Sequence, residues 1–126
     1  MGHVSRANAT MERILRHARA EASYYELVAD ELRAPSMIAR VAQIGSVWRE
    51  IASDLEALPC GPGDDEDDEA TRQRVIERAA DRVAVASEAA GSLPSTPLEL
   101  RHRLVADCWL KLIARLRLGR LDSEVR

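Results

Sequence analysis

Phenylalanine is absent from this chain. Its aromatic residues are Trp48, Trp109, Tyr24 and Tyr25, 3% of 126 residues. Hydrophobic residues still make up 46%, so the core must be built from Ala, Leu, Val and Ile. That composition suits closely approaching helices better than sheets. Lysine occurs once, as Lys111, against seventeen arginines. Guanidinium forks suit phosphate and carboxylate recognition. Here they are spread over every segment, the pattern that GC-rich coding, which also raises alanine, would leave. Cysteine is limited to Cys60 and Cys108, with no CxxC and no paired framework, which argues against a disulfide scaffold. A reduced, cytoplasmic setting is the expectation. No apolar run approaches the roughly 20 residues that cross a bilayer. The segment Met1-Gly2-His3-Val4-Ser5-Arg6 has no apolar signal core, and Arg6 stands where a myristoylation motif needs Ser or Thr.

The charge that is present is unevenly placed. The net charge is −3, but residues 59–69 alone carry −6, residues 96–126 carry +3, and the remainder is close to neutral. Hydrophobic spacing then predicts four helices. Over 9–33, Met11, Leu15, Ala18, Ala22, Tyr25, Ala29 and Leu32 recur at steps of four and three, one face of a helix, with Thr10 as a candidate N-cap. Ala34-Pro35-Ser36 predicts a break rather than a kink, because proline is well placed in a first turn and poorly placed in a helix interior. Over 36–58 the stripe is Val41, Ile44, Trp48, Ile51, Leu55 and Leu58. Gly45 beside it costs about 1 kcal/mol relative to Ala, which points to a close helix–helix contact. Residues 59–67 read as an acidic, solvated loop. Over 68–90, Val75, Ile76, Ala79, Val83, Ala86 and Ala90 make a narrow stripe that stops at Gly91-Ser92-Leu93-Pro94. The fourth helix, 97–118, has the clearest start in the chain: Thr96 as N-cap, Pro97 at the first position and Glu99 at the third, a capping box. Gly119 is its natural stop.

Candidate chemistry is sparse. Glu99-Leu100-Arg101-His102 is a Glu-x-x-His, the spacing used in di-iron bundles, which need two copies and two further glutamates. A single copy with Glu99 engaged in capping is short of ligands, so no metal and no cofactor is implied. His17 lies among polar residues and reads as a solvated histidine. No serine sits in a strand–turn–helix context, no glycine-rich phosphate loop is present, and no nucleophile–base pair is visible. The acidic run discourages thiolate formation at Cys60, and Cys108 reads as a small core residue. Asp30-Glu31-Leu32-Arg33-Ala34-Pro35 is similar to the phosphoacceptor box of sensor histidine kinases. Asp30 stands where that box has its histidine, so the chemistry does not carry over.

Segments 24–33 and 47–56 also read alike. Tyr-Tyr-Glu-Leu-Val-Ala-Asp-Glu-Leu-Arg and Val-Trp-Arg-Glu-Ile-Ala-Ser-Asp-Leu-Glu each show an aromatic, an aliphatic and Ala three and four residues later, then an acid and Leu. Across residues 20–58 the chain resembles small uncharacterised bacterial helical-hairpin proteins with an aromatic–Leu–Ala pattern. Val28 and the Ala34-Pro35 break depart from it. The resemblance implies a hairpin and no activity. From the residues alone, Tyr25 and Trp48 are placed to pack across one seam.

The expected fold is all-α, an antiparallel bundle of four helices in up-down order forming one domain. The fourth helix is apolar nearly all round. Leu98, Val105, Trp109, Leu112 and Leu116 share one face. Leu100, Leu104, Leu110, Leu118 and Leu121 fall on the other, where Arg103 and Lys111 also lie. Such a helix is expected to be central, to form a dimer seam, or to dock a partner. The expected function is therefore a non-enzymatic interaction adaptor or small regulator, acting as a homodimer or larger assembly through these residues. Two alternatives use charge. One is a nucleic-acid-associated accessory subunit contacting phosphates through Arg101, Arg103, Lys111, Arg115, Arg117 and Arg120. The other is an inhibitor whose Asp64–Glu69 run imitates phosphates.

Overall fold

A computed structural model of the chain describes residues 6–58 and 68–119. The expected acidic loop, Cys60, Leu121 and Arg120 lie outside them. The described residues are all-α, a helical-bundle architecture of four helices: α1 (Arg6–Glu31), α2 (Pro35–Glu56), α3 (Asp68–Gly91) and α4 (Pro97–Leu118). The backbone falls into two compact units. One is Leu15–Leu58. The other joins Met1–Ile14 to Pro59–Arg126. The first contains the hairpin of α2 with α1 from Leu15 onward; the second contains the α3·α4 hairpin and the start of α1 through Ile14.

In the first hairpin the break at Pro35 is real. Ala34 is extended (φ −76°, ψ 122°), as the steric demand of a following proline ring requires. Pro35 then occupies the first turn of α2, where its missing N–H costs nothing. The two helices run antiparallel. Arg49 Nε and Nη2 each donate to the Glu26 carboxylate at 2.9 Å, and Arg19 pairs with Glu56 at the opposite end. As one partner number rises by seven the other falls by seven. Ala18, Ala22, Ala29, Ala52 and Gly45 are buried, so the backbones approach closely. A Cβ added at Gly45 would lie 3.2 Å from the Ala22 carbonyl oxygen. That close approach is the compensation for a helix-interior glycine.

Two expectations for this region need correction. Thr10 is not an N-cap. The helix begins at Arg6, and Thr10 is a buried interior residue whose hydroxyl donates to Asp68 at the start of α3. His17 is not solvated: it is 6% exposed. Its ring stands edge-on to Trp48 with centroids 6.1 Å apart, and Nε2 lies 4.0 Å from Glu21. At the same seam Tyr25 abuts Gly45 and pairs its ring with Tyr24. The imidazole of His17 is thus an aromatic partner of Trp48. The cause is the width of the buried face. Thr10, Ile14, His17 and Glu21 form a second four-three-four stripe beside Met11, Leu15, Ala18 and Ala22. A core-facing helix buries an arc of about 100° or more, which takes in both rows, but only the row of Met11, Leu15, Ala18 and Ala22 is apolar enough to show in the sequence.

In the second hairpin α3 begins on Asp68 and Glu69, acidic residues favoured by the helix dipole. Glu69 also accepts from Arg72 at 2.8 Å and Gln73 at 3.2 Å. The helix ends where the Ser92 hydroxyl donates back to the Ala89 carbonyl at 3.0 Å. Residues 92–96 then turn the chain, which makes α3 and α4 antiparallel neighbours. Their buried residues are Thr71, Val75, Ile76, Ala79, Ala86 and Ala90 on α3, and Ala106, Cys108, Trp109, Leu112, Ile113 and Leu116 on α4. Cys108 is a core residue, as its neighbours in sequence imply.

Candidate functional site

The orientation of α4 is set at its first turn. Thr96 is extended, and its hydroxyl accepts from the Glu99 N–H at 3.1 Å while donating to the Leu93 carbonyl at 2.7 Å. The return bond of the capping box is displaced by one residue: the Glu99 carboxylate accepts from the N–H of Ser95, at 2.7 Å, rather than from Thr96. Ser95 adopts a left-handed conformation (φ 63°), which brings its N–H round to Glu99. Arg103, one turn on, donates to the same carboxylate at 2.9 Å. The Ser95 N–H and then the Arg103 guanidinium hold the Glu99 carboxyl below its ordinary value of 4.5. At the far end Gly119 takes the left-handed stop (φ 67°).

The lowered Glu99 value has a stability consequence with a definite sign. A carboxyl depressed in the folded state stabilises fully above its unfolded value and loses that contribution as pH falls through its folded value. Acid titration of thermal stability should therefore decline below about pH 4.5, and Glu99→Gln should flatten part of that decline. Melting curves from pH 7 to pH 3 check this; an unchanged acid slope in the variant would mean that the cap carboxylate is not engaged.

The inward face of α4 differs from expectation at its N-terminal end. Trp109, Leu112 and Leu116 are buried, Val105 is half-buried, and Leu98 is 56% exposed. Leu98 shares its azimuth with Leu116, eighteen residues or five full turns away at 3.6 residues per turn. Azimuth is right and depth is not, because at Leu98 the helix has only just left the turn and α3 has already ended at Gly91.

The outward face holds most of the expected interaction residues. Leu100 and Leu118 are each 66% exposed and Leu110 is 49% exposed. Leu104 is half-buried, so it borders this face rather than standing on it. Lys111 and Asp107 are exposed there too. Arg103 is exposed but tied to Glu99. Arg101 and Arg115 are half-buried and engaged within the chain. The described arginines therefore do not form a row of free guanidinium groups. Neither does Glu99-x-x-His102 gather a ligand set: no cluster of three or more His, Cys, Asp or Glu side chains among the described residues is placed to hold a metal ion. No described helix is long and apolar enough to cross a membrane.

The fold and this face together describe a small all-α protein of two helical hairpins with exposed leucines on α4. No family model, curated protein or solved structure matches the chain.

Proposed function

We propose that this chain is a protein-interaction module, an adaptor or small regulator that self-associates through the outward face of α4. One observation carries this reading: Leu100, Leu110 and Leu118 stand about half or more exposed on a single helix whose opposite face already supplies core residues. Leucines that the core does not use are costly to leave in water, at roughly 1.5–3 kcal/mol for full burial of each. Lying along one helix rather than scattered over the surface, they mark an interaction site. Two-fold pairing is the commonest arrangement by which soluble proteins cover such a face.

The test is light scattering after size exclusion, on the wild type and on Leu110→Glu. Leu110 is on the surface, so the variant should keep its helical circular dichroism. The expected result is a dimer or larger for the wild type and a shift to monomer for the variant. A wild type that stays monomeric at tens of micromolar would overturn self-association through this face.

A further inference from the structure

The order of residues along the outward face of α4 is self-complementary in one direction only. At 3.6 residues per turn, Leu100 and Leu118 share one azimuth, and Asp107, Lys111 and Ala114 lie close to it, within about 40° on either side. Position 109 is midway between 100 and 118. It is equally midway between 107 and 111, and between 104 and 114. A second copy laid antiparallel across a two-fold axis at that level therefore sets Leu100 at the level of Leu118 and Asp107 at the level of Lys111, each pair occurring twice. Leu110, one residue past that level, lies about 80° from the Leu100 azimuth, on the flank of the seam. Parallel pairing in register would instead set each charge against itself, which is repulsive.

We propose that the partner of this face is a second copy of the chain, paired antiparallel with α4 centred at the level of position 109 and with Asp107 meeting Lys111 of the other copy. This inference rests on the reading of α4 as a self-association surface and adds direction, register and the specifying charges. Asp107 and Lys111 are suited to that role because both are exposed and no side-chain hydrogen bond or ion pair within the described residues engages either of them. Arg103, the nearest other cation on the face, is already neutralised by Glu99. Leu100 and Leu118 lie at the two ends and the charges lie between, so the leucines supply the attraction and the charges select the register.

Charge reversal tests this directly. In Asp107→Lys each copy carries two cations at the middle of the face. In Lys111→Asp each carries two anions. Either variant alone should self-associate about tenfold more weakly than the wild type, since two attractive pairs become repulsive ones on a partly exposed seam. An equal mixture of the two should form a heterodimer of near wild-type affinity, because both cross-pairs are restored. The double variant, Asp107→Lys with Lys111→Asp, should self-associate like the wild type. Light scattering reads the single, double and mixed samples, native mass spectrometry on mass-tagged copies reads the heterodimer, and circular dichroism confirms that each variant is folded. Weakened single variants with no rescue in either the mixture or the double variant would overturn the register while leaving self-association standing, as would single variants that pair as tightly as the wild type. A monomeric wild type would overturn both.

Discussion

Trp48→Ala should cost about 3–5 kcal/mol, the range for removing a large aromatic side chain from a packed core. The total stability of a domain of this size is only about 5–15 kcal/mol, so this one change should lower the melting temperature by more than about 10 °C. The expectation rests on position as well as size. Trp48 is fully buried, with Val47, Ile51 and Leu55 of the same helix also at or near zero exposure. It takes the edge of His17 from α1. In a chain with 3% aromatic residues, little else can fill the space its removal would leave. Trp48→Phe should be much milder, within about 1.5 kcal/mol. It keeps most of the ring and removes an indole N–H that is buried without a hydrogen-bond acceptor among the described residues. Thermal and urea denaturation followed by circular dichroism would measure both. An alanine variant that melts within a few degrees of the wild type would show that the indole is not part of the folded core.

Gly45→Val is the second large effect. Its cause is the reverse, too much volume rather than too little. A Cβ at position 45 meets the Ala22 carbonyl oxygen at 3.2 Å and carbons of Tyr25 and Glu26 at 3.4 Å. The nearest of these atoms belongs to the backbone of α1 and moves only if the helix moves. Valine then adds two methyl groups beyond that Cβ. Forcing the hairpin apart should cost about 1–3 kcal/mol, and it would also strain the Glu26–Arg49 pair beside the contact. Gly45→Ala is the informative comparison. Its gain in helix propensity of about 1 kcal/mol offsets part of the crowding, so it should fall well short of valine. Denaturant titration gives the energies, and hydrogen exchange at α1 and α2 amides gives the location. A valine variant as stable as the wild type would mean that the two backbones are further apart than the Ala22–Gly45 contact requires.

Local rules were sufficient for the punctuation of this chain. Pro35 ends one helix and opens the next because of its own ring geometry. Thr96, Pro97 and Glu99 cap α4 through atoms that are neighbours in sequence, and Gly119 stops it because a left-handed residue is needed there. These features depend on a few adjacent residues, so reading them needs no knowledge of what lies across the fold. The close approach at Gly45 was visible for a related reason: a glycine inside a strong helical pattern is a local cost that calls for a compensating contact.

Tertiary structure decided depth and the partners of polar side chains. Leu98 and Leu116 have the same azimuth on α4, yet one is exposed and the other buried, because only Leu116 has the body of the hairpin beside it. Periodicity specifies which way a residue points and says nothing of how far the neighbouring helix extends. His17 and Thr10 carried no apolar signal, and their burial depends on the breadth of the α1 face and on Trp48 and Asp68, which lie far along the chain. The shift of the Glu99 bond from Thr96 to Ser95 likewise follows from one backbone angle. Helix identity and helix ends are properties of neighbouring residues, which sequence order preserves. Burial is a property of whatever else occupies the surrounding space, and only the folded chain supplies that.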